Sequence, residues 1–595
     1  MDLLGFYLGE EFEAYRYLGA QLTEDGVYFR TFAPEAIKIS VIGEFNGWTE
    51  TPMQKIYDGN FWEAFIPEAK KGMMYKYRIY RKDGSFIDHC DPYGFGAELR
   101  PQNASVLRSI DEYDFQDKSW MRKRKVNFDQ PLNIYELHAG SWKKKGDGDT
   151  DWYDYEELAE KLIPYLKETG YNYLELMPLS EHPSDESWGY QITGFFSPTS
   201  RYGTPAQLQE FVDKCHRNEI GVIMDFVPVH FAVNDYALWN YDGSALYEYP
   251  HHDVGVSEWG SCNFMHSRGE VRSFLQSAAN YWLKEYHFDG IRMDAVRNLI
   301  YWNGQPERGE NMSAIQFLQR MNTGLKERFP DAMLIAEDST AYPGVTAPVQ
   351  EGGLGFDYKW DLGWMHDTLE FFQTQPDIRA DHMGKLGFSM HYFYNERYIL
   401  PLSHDEVVHG KATILQKMYG DYENKFPQAR LFYLYMTAHP GKKLNFMGNE
   451  FGQLREWSEK REQDWMLFDY PKHQKFYQFM KELNIFYRKH PALYKEDYEG
   501  EGFQWDTNWT GSRSVMAFTR KGGGQKLLFL FNFEDTGTEI NLQELTGKSL
   551  KLLMDTDWEK YDGTTPEEER VYRAEKGRYE IELPAYSGKC LEIIE

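Results

Sequence analysis

Gly290-Ile-Arg-Met-Asp294 is a short apolar run closed by an acid, and Met333-Leu-Ile-Ala-Glu337 repeats the pattern further along the chain. Two carboxylates carried to the ends of neighbouring buried strands are the minimum equipment for breaking and remaking a glycosidic bond through a covalent intermediate. Carbohydrate chemistry on a parallel sheet is therefore the first expectation. Working outward, apolar runs at 132–137, 173–177, 221–226, 288–293, 332–336, 355–359, 398–402 and 443–447 predict strands, and amphipathic windows at 155–168, 205–217, 271–286, 313–329 and 427–437 predict helices between them. Alternating strand and helix demands a parallel sheet. Eight such strands close a (β/α)8 TIM barrel, predicted here over residues 116–495.

The flanks read differently. Up to residue 115, short strands at 26–32, 37–42, 61–66 and 74–80 are broken by Pro34, Asp58-Gly59 and Asp83-Gly84, which is turn chemistry and predicts an N-terminal β-sandwich. Residues 496–595 return to strands at 514–519, 526–531, 550–553 and 579–583 around a Gly522-Gly-Gly524 loop, predicting a C-terminal β-sandwich. The fold class is α/β, a central barrel flanked by two β-sandwich domains.

The 595 residues carry 65 Lys and Arg against 93 Asp and Glu, a net charge of −28 that repels phosphate backbones and anionic lipid. Nucleic acid and membrane partners are not expected. Cys90, Cys215, Cys262 and Cys590 are scattered, without metal-ligand spacing or the density of a disulfide scaffold, so reduced thiols and a cytoplasmic location are expected. The opening residues run into Glu10, Glu11 and Glu13 with no basic, apolar leader. Aromatic residues make up 17% of the chain, and such side chains stack well on sugar rings as well as filling cores.

Within the predicted barrel, strand ends and the loops after them converge on one mouth. Arg292 and Asp294 lie two apart in an extended run, hence on one side, and the guanidinium should keep the carboxylate ionised, the state a nucleophile needs. Glu337 follows a wholly apolar run, an environment that keeps a carboxyl protonated and suits an acid/base. Each has a structural alternative: an ion pair for Arg292 with Asp294, a loop partner for Glu337, a strand terminus for Asp225. His404-Asp405-Glu406 and His230 invite a metal site, but without a His-x-x-x-His or cysteine pairing, hydrogen bonding to sugar hydroxyls is the better expectation. Trp48, in Gly43-Glu-Phe-Asn-Gly-Trp48, is either a platform for a sugar ring or a core-edge residue.

The blocks Asp225-Phe-Val-Pro-Val-His230, Gly290-Ile-Arg-Met-Asp-Ala-Val296, Leu334-Ile-Ala-Glu-Asp-Ser-Thr340 and Ser403-His-Asp-Glu-Val-Val-His-Gly-Lys411 resemble, in order, the four signature regions of the α-amylase superfamily, glycoside hydrolase family 13. Residues 189–203, Gly353-Leu-Gly-Phe-Asp-Tyr-Lys-Trp360 and the run from His439 to Gln453 are similar, more narrowly, to its branching enzymes. The N-terminal sandwich, with Asp91-Pro-Tyr93, resembles the family 48 carbohydrate-binding module. The resemblance implies Asp294 as nucleophile, Glu337 as general acid/base and Asp405 as the carboxylate that stabilises the transition state. It implies that Tyr190, Asp225, His230, Arg292 and His404 hold the sugar. Val229 stands where glycine is expected, and Asp361 where asparagine is.

The implied activity is transglycosylation: cleavage of an α-1,4 link in a linear glucan and transfer of the chain to a 6-hydroxyl, giving an α-1,6 branch with retention. α-1,4-Glucan would be both donor and acceptor, with no cofactor and no metal, on a monomer or weak dimer. The rival readings are a debranching or amylolytic hydrolase on the same fold and a non-catalytic glucan-binding scaffold, which the presence of all three acids disfavours.

Overall fold

The computed structural model describes residues 1–545 and 547–595. Eight strands close in chain order into a barrel: β1 Asn133–Leu137, β2 Tyr173–Leu176, β3 Gly221–Phe226, β4 Gly290–Met293, β5 Met333–Ala336, β6 Tyr358–Trp360, β7 Tyr398–Leu402 and β8 Lys442–Phe446. Every residue of these strands is buried, as expected of parallel strands covered on both faces. Seven helices alternate with them: α1 Tyr155–Thr169, α2 Pro205–Arg217, α3 Gly269–Glu285, α4 Met312–Arg328, α5 Leu362–Gln373, α6 Tyr422–Ala438 and α7 Pro471–Lys489. The connection from β5 to β6 departs from the alternation: its described residues form only a short 3-10 turn, Val349–Glu351.

Two expected elements move. The sixth strand was expected at 355–359 but runs Tyr358–Trp360, because Gly352 and Gly355 take φ of +88° and +78° and turn the chain before it can extend. Helix α6 starts at Tyr422, before the expected 427, since the Asp421 side chain accepts from the Asn424 amide and caps the helix ahead of Pro427. The proline is carried inside, where its missing N–H leaves one early carbonyl without its helical partner.

Contact density divides the chain into two compact units. The first comprises Met1–Lys125, His138–Ile163 and Glu175–Asp357; the second comprises Val126–Leu137, Pro164–Leu174 and Tyr358–Glu595. In the first unit the N-terminal sandwich has one sheet of Gly19–Thr23, Gly26–Phe32, Phe61–Ile66 and Gln54–Ile56. Its other sheet is built from Thr51–Pro52, Lys38–Gly43, Met74–Tyr80 and Phe86–His89, with Ser105–Val106 on Met74–Tyr80. Met74–Tyr80 alternates buried and half-buried positions, and Phe29 meets Tyr75 edge-on at 5.0 Å between the sheets.

In the second unit the C-terminal sandwich sets a six-stranded antiparallel sheet, centred on Gln525–Asn532 and Ser587–Ile594, beside a sheet of Trp509–Thr510, Thr538–Gln543 and Arg578–Leu583. Gly523 and Gly524, at φ +58° and +82°, form the two-residue turn between Val515–Gly522 and Gln525–Asn532. Two consecutive positive φ values define the turn whose twist suits a hairpin.

Candidate active site

Strand register builds the centre of the site. In the ladder of β3 on β4, Asp225 and Arg292 are direct partners; one step on, Phe226 faces Met293, and Met293 faces Ala336 of β5. Asp294 and Glu337 each follow the last residue of a strand at the same level, and the ladder continues through them. The Asp294 amide donates to the Phe226 carbonyl at 2.9 Å and the Glu337 amide to the Met293 carbonyl at 3.0 Å. Ala295 then takes φ +48°, unusual for a residue with a side chain, and its N–H donates to Glu337 Oε2 at 2.6 Å. The turn that carries one acid thus orients the other.

Arg292, wholly buried, ties the cluster together. Its Nη1 donates to both oxygens of Asp225 at 2.8 and 2.9 Å and to Asp294 Oδ1 at 2.8 Å, while Nη2 lies 3.6 Å from Glu337 Oε2. Tyr190 Oη donates to Asp225 Oδ2 at 2.6 Å. Burial pulls the guanidinium's pKa down, but Asp225, Tyr190, Asp294 and Glu337 outweigh it and hold the pKa well above the ordinary arginine value. The cation is permanent. Asp225 is buried, whereas the Asp294 and Glu337 side chains keep 16% and 21% of their surface exposed. Asp225 is thus enclosed by Arg292 and Tyr190, while the other two acids keep surface open to solvent.

The apolar surroundings expected for Glu337 belong to the strand beneath it. The carboxyl itself meets an amide N–H and a guanidinium. His230 begins the two-residue strand His230–Phe231, is buried, and burial lowers its pKa to about 4, so the ring is neutral at ordinary pH. Among the described residues its Nδ1 has no hydrogen-bond partner, and its ring lies 5.1 Å from that of Trp259.

In the second unit, the turn His404–Val407 follows β7. Glu136 of β1 holds His404 twice, accepting from its amide at 2.9 Å and meeting Nδ1 at 2.5 Å. His404 Nε2 lies 3.5 Å from Asp405 Oδ1, and the Asp405 side chain is 53% exposed. Sequence reasoning missed Glu136, although an acid inside the run Asn133-Ile-Tyr-Glu-Leu137 was the visible signal. Asp361 caps α5, its Oδ1 accepting from the Trp364 amide and from Tyr392 Oη, both at 2.8 Å. Among the described residues, no three His, Cys, Asp or Glu side chains are grouped as a metal site, and no helix is long and apolar enough to cross a membrane.

Two tryptophans of the N-terminal sandwich differ in exposure. Trp62 is buried and its indole N–H donates to the Ala33 carbonyl at 3.0 Å, so it is a core residue of the sandwich, not a sugar platform. Trp48 follows the turn Glu44–Asn46 with φ +62° and is 40% exposed.

Three families match along the chain: carbohydrate-binding module 48 (isoamylase N-terminal domain) at residues 17–94, the α-amylase catalytic domain at 140–253 and the α-amylase C-terminal all-β domain at 505–593. Barrel, flanking domains and acid cluster together define the α-amylase class. The fold is shared with a putative α-amylase from Salmonella typhimurium, at TM-score 0.73 and 19% identity over 97% of this chain and 100% of that one. It is shared too with an Anoxybacillus pullulanase solved with maltotetraose, at TM-score 0.75 and 17% identity over 97% and 87%. Sequence relatives lie much nearer. The 1,4-α-glucan branching enzyme GlgB of Fusobacterium nucleatum is 44% identical, covering 97% of this chain and 95% of its own length, and that of Halothermothrix orenii is 45% identical, covering 94% and 92%. The chain belongs to the 1,4-α-glucan branching enzyme family.

Proposed function

We propose that this chain cleaves α-1,4 links of a linear glucan and rejoins the released chain to a 6-hydroxyl, forming the α-1,6 branches of glycogen, with Asp294, Glu337 and Asp405 as its catalytic acids. The observation that carries the reading is the pair Asp294 and Glu337 at matched strand ends, both reaching one buried guanidinium. A double displacement needs its two carboxyls about 5 to 5.5 Å apart, against about 6.5 to 9.5 Å where water attacks directly. A shared guanidinium supports the closer spacing.

Asp294, ionised and aimed by Arg292, attacks the anomeric carbon; the C1–O4 bond breaks as Glu337 gives its proton to the departing oxygen. A glucosyl ester on Asp294 results. Glu337 then takes the proton of an acceptor 6-hydroxyl, whose oxygen attacks C1 and releases Asp294, so configuration is retained. Asp405 stabilises the positive charge that builds on the ring in both steps, and His404, held by Glu136, positions it. Tyr190, Asp225 and neutral His230 bind hydroxyls of the same sugar. Water competes for the intermediate, and branching prevails to the extent that an acceptor glucan is bound in preference to it.

Trp48 is proposed as a glucan platform of the N-terminal module, supported by its exposure. Domain limits near residues 115 and 495 belong to the same reading: the first falls between the strand Ser105–Val106 and β1, the second between α7 and the strand Phe503–Trp505. A cytoplasmic site of action is supported by four unpaired thiols and a net charge of −28. The test is incubation with amylose, counting α-1,6 links by proton NMR alongside reducing ends. Links that appear while reducing ends stay level are expected; reducing ends that accumulate without new links would make the chain a hydrolase.

A further inference from the structure

Cys262 and Asn263 pair antiparallel with Phe231 and His230, and the ladder extends through a Val256–Cys262 bridge into a hairpin whose tip is Ser257 to Ser261. The tip is closed by its own hydrogen bonds. Ser257 N donates to the Ser261 carbonyl at 2.8 Å and Gly260 N to the Ser257 carbonyl at 3.0 Å, while Ser257 Oγ accepts from the amides of Trp259 and Ser261 at 3.2 and 3.1 Å. Gly260, at φ +74°, makes the turn possible. None of these bonds uses the Trp259 side chain.

The tip is also anchored to the nucleophile's turn. Glu258 Oε1 lies 3.6 Å from Arg297 Nη2 and accepts from Asn298 Nδ2 at 3.2 Å, and the Asn298 amide in turn donates to the Ala295 carbonyl at 2.8 Å. Trp259 therefore sits on a backbone fixed at both ends, its ring 5.1 Å from that of His230 and its neighbour Glu258 tied to the turn after Asp294. Trp259 is nonetheless 48% exposed. A large apolar ring left half in water contributes little to folding, and a flat aromatic face with an N–H at its edge is suited to a pyranose.

We infer that Trp259 is a sugar-stacking platform, seating a glucosyl unit of the bound α-glucan on the His230 side of Asp294. The inference rests on the α-glucan reading above and adds to it a residue that positions the chain next to the bond being cut. Stacking on a rigidly held ring fixes which unit of the glucan lies against Asp294, so Trp259 sets affinity and the length of chain transferred.

The experiment measures maltoheptaose binding by calorimetry in an Asp294→Asn background, where turnover should not consume the ligand. Adding Trp259→Ala is expected to weaken binding about tenfold, and Trp259→Phe to restore most of it, with all variants sharing one unfolding midpoint. In the otherwise intact enzyme, Trp259→Ala should also change the chain-length profile of the debranched product. Equal affinity of the Ala and Trp forms overturns the platform, as does a loss that follows a lowered midpoint and is not rescued by Phe. An Asp294→Asn protein that still branches amylose would instead count against the catalytic assignment, separately from Trp259.

Discussion

Asp361→Asn should stabilise the protein at neutral and alkaline pH while leaving its acid stability nearly unchanged. The Asp361 carboxyl is buried at the N-terminus of α5; one oxygen takes the Trp364 amide and the Tyr392 hydroxyl, and the other has no hydrogen-bond partner among the described residues. Burial raises its pKa from 3.8 to about 6. The sign follows: the folded state resists ionisation, so this group's contribution is fully present below pH 3.8 and is lost as pH rises through 6. A rise of roughly 2 pH units at 1.36 kcal/mol each amounts to about 3 kcal/mol above pH 6. Asparagine keeps the accepting oxygen of the cap and replaces the unpartnered oxygen with an uncharged amide. The assay is the urea midpoint of wild type and variant from pH 3.5 to 8. The two should converge at the acid end and separate in the variant's favour as pH rises. Parallel curves across the whole range would refute the buried-charge explanation.

Glu136→Gln, which removes the charged acceptor on His404, should cut kcat/KM about tenfold or more while the melting temperature moves little; unchanged kinetics would show that His404 needs no such support. Trp48→Ala should weaken glycogen binding several-fold with its circular dichroism unaltered, and unchanged affinity would return Trp48 to the sandwich as a structural residue. Branching activity should survive exhaustive EDTA treatment and dialysis; activity lost on chelation and recovered with calcium would reveal a metal site that the sequence reading did not anticipate.

The barrel was legible because its strands are short, buried, largely apolar segments with turn chemistry around them, a signal contained within a few residues even where a charge such as Glu136 or Glu175 lies inside. Asp294 and Glu337 were visible for the same reason, as acids at the ends of such runs. What depends on residues far apart in sequence was not legible. Glu136 and His404 meet across 268 positions, and nothing in either local run announces the pairing. The amide and guanidinium beside Glu337 come from Ala295 and from Arg292 on the neighbouring strand, which its own apolar segment does not announce. Trp62 shares the buried face of Phe61–Ile66 with Ala64 and Ile66, so alternation along the strand places it in the core, while its indole bond to the Ala33 carbonyl joins residues 29 apart in sequence. The glycines ahead of β6 and the cap ahead of Pro427 shifted two boundaries because local turn and cap geometry outweighed the apolar pattern.

The account turns on Asp294 as the residue that carries the sugar between donor and acceptor. A Glu337→Gln variant given an α-maltotriosyl fluoride tests this directly, since fluoride leaves without a proton and the ester then lacks the base that would discharge it. One equivalent of fluoride released in a burst, with a maltotriosyl mass on the peptide containing Asp294, is the expected result. A sugar adduct on Asp405, Asp225 or any other residue would contradict the account, as would a burst that persists when Asp294 is also changed to Asn.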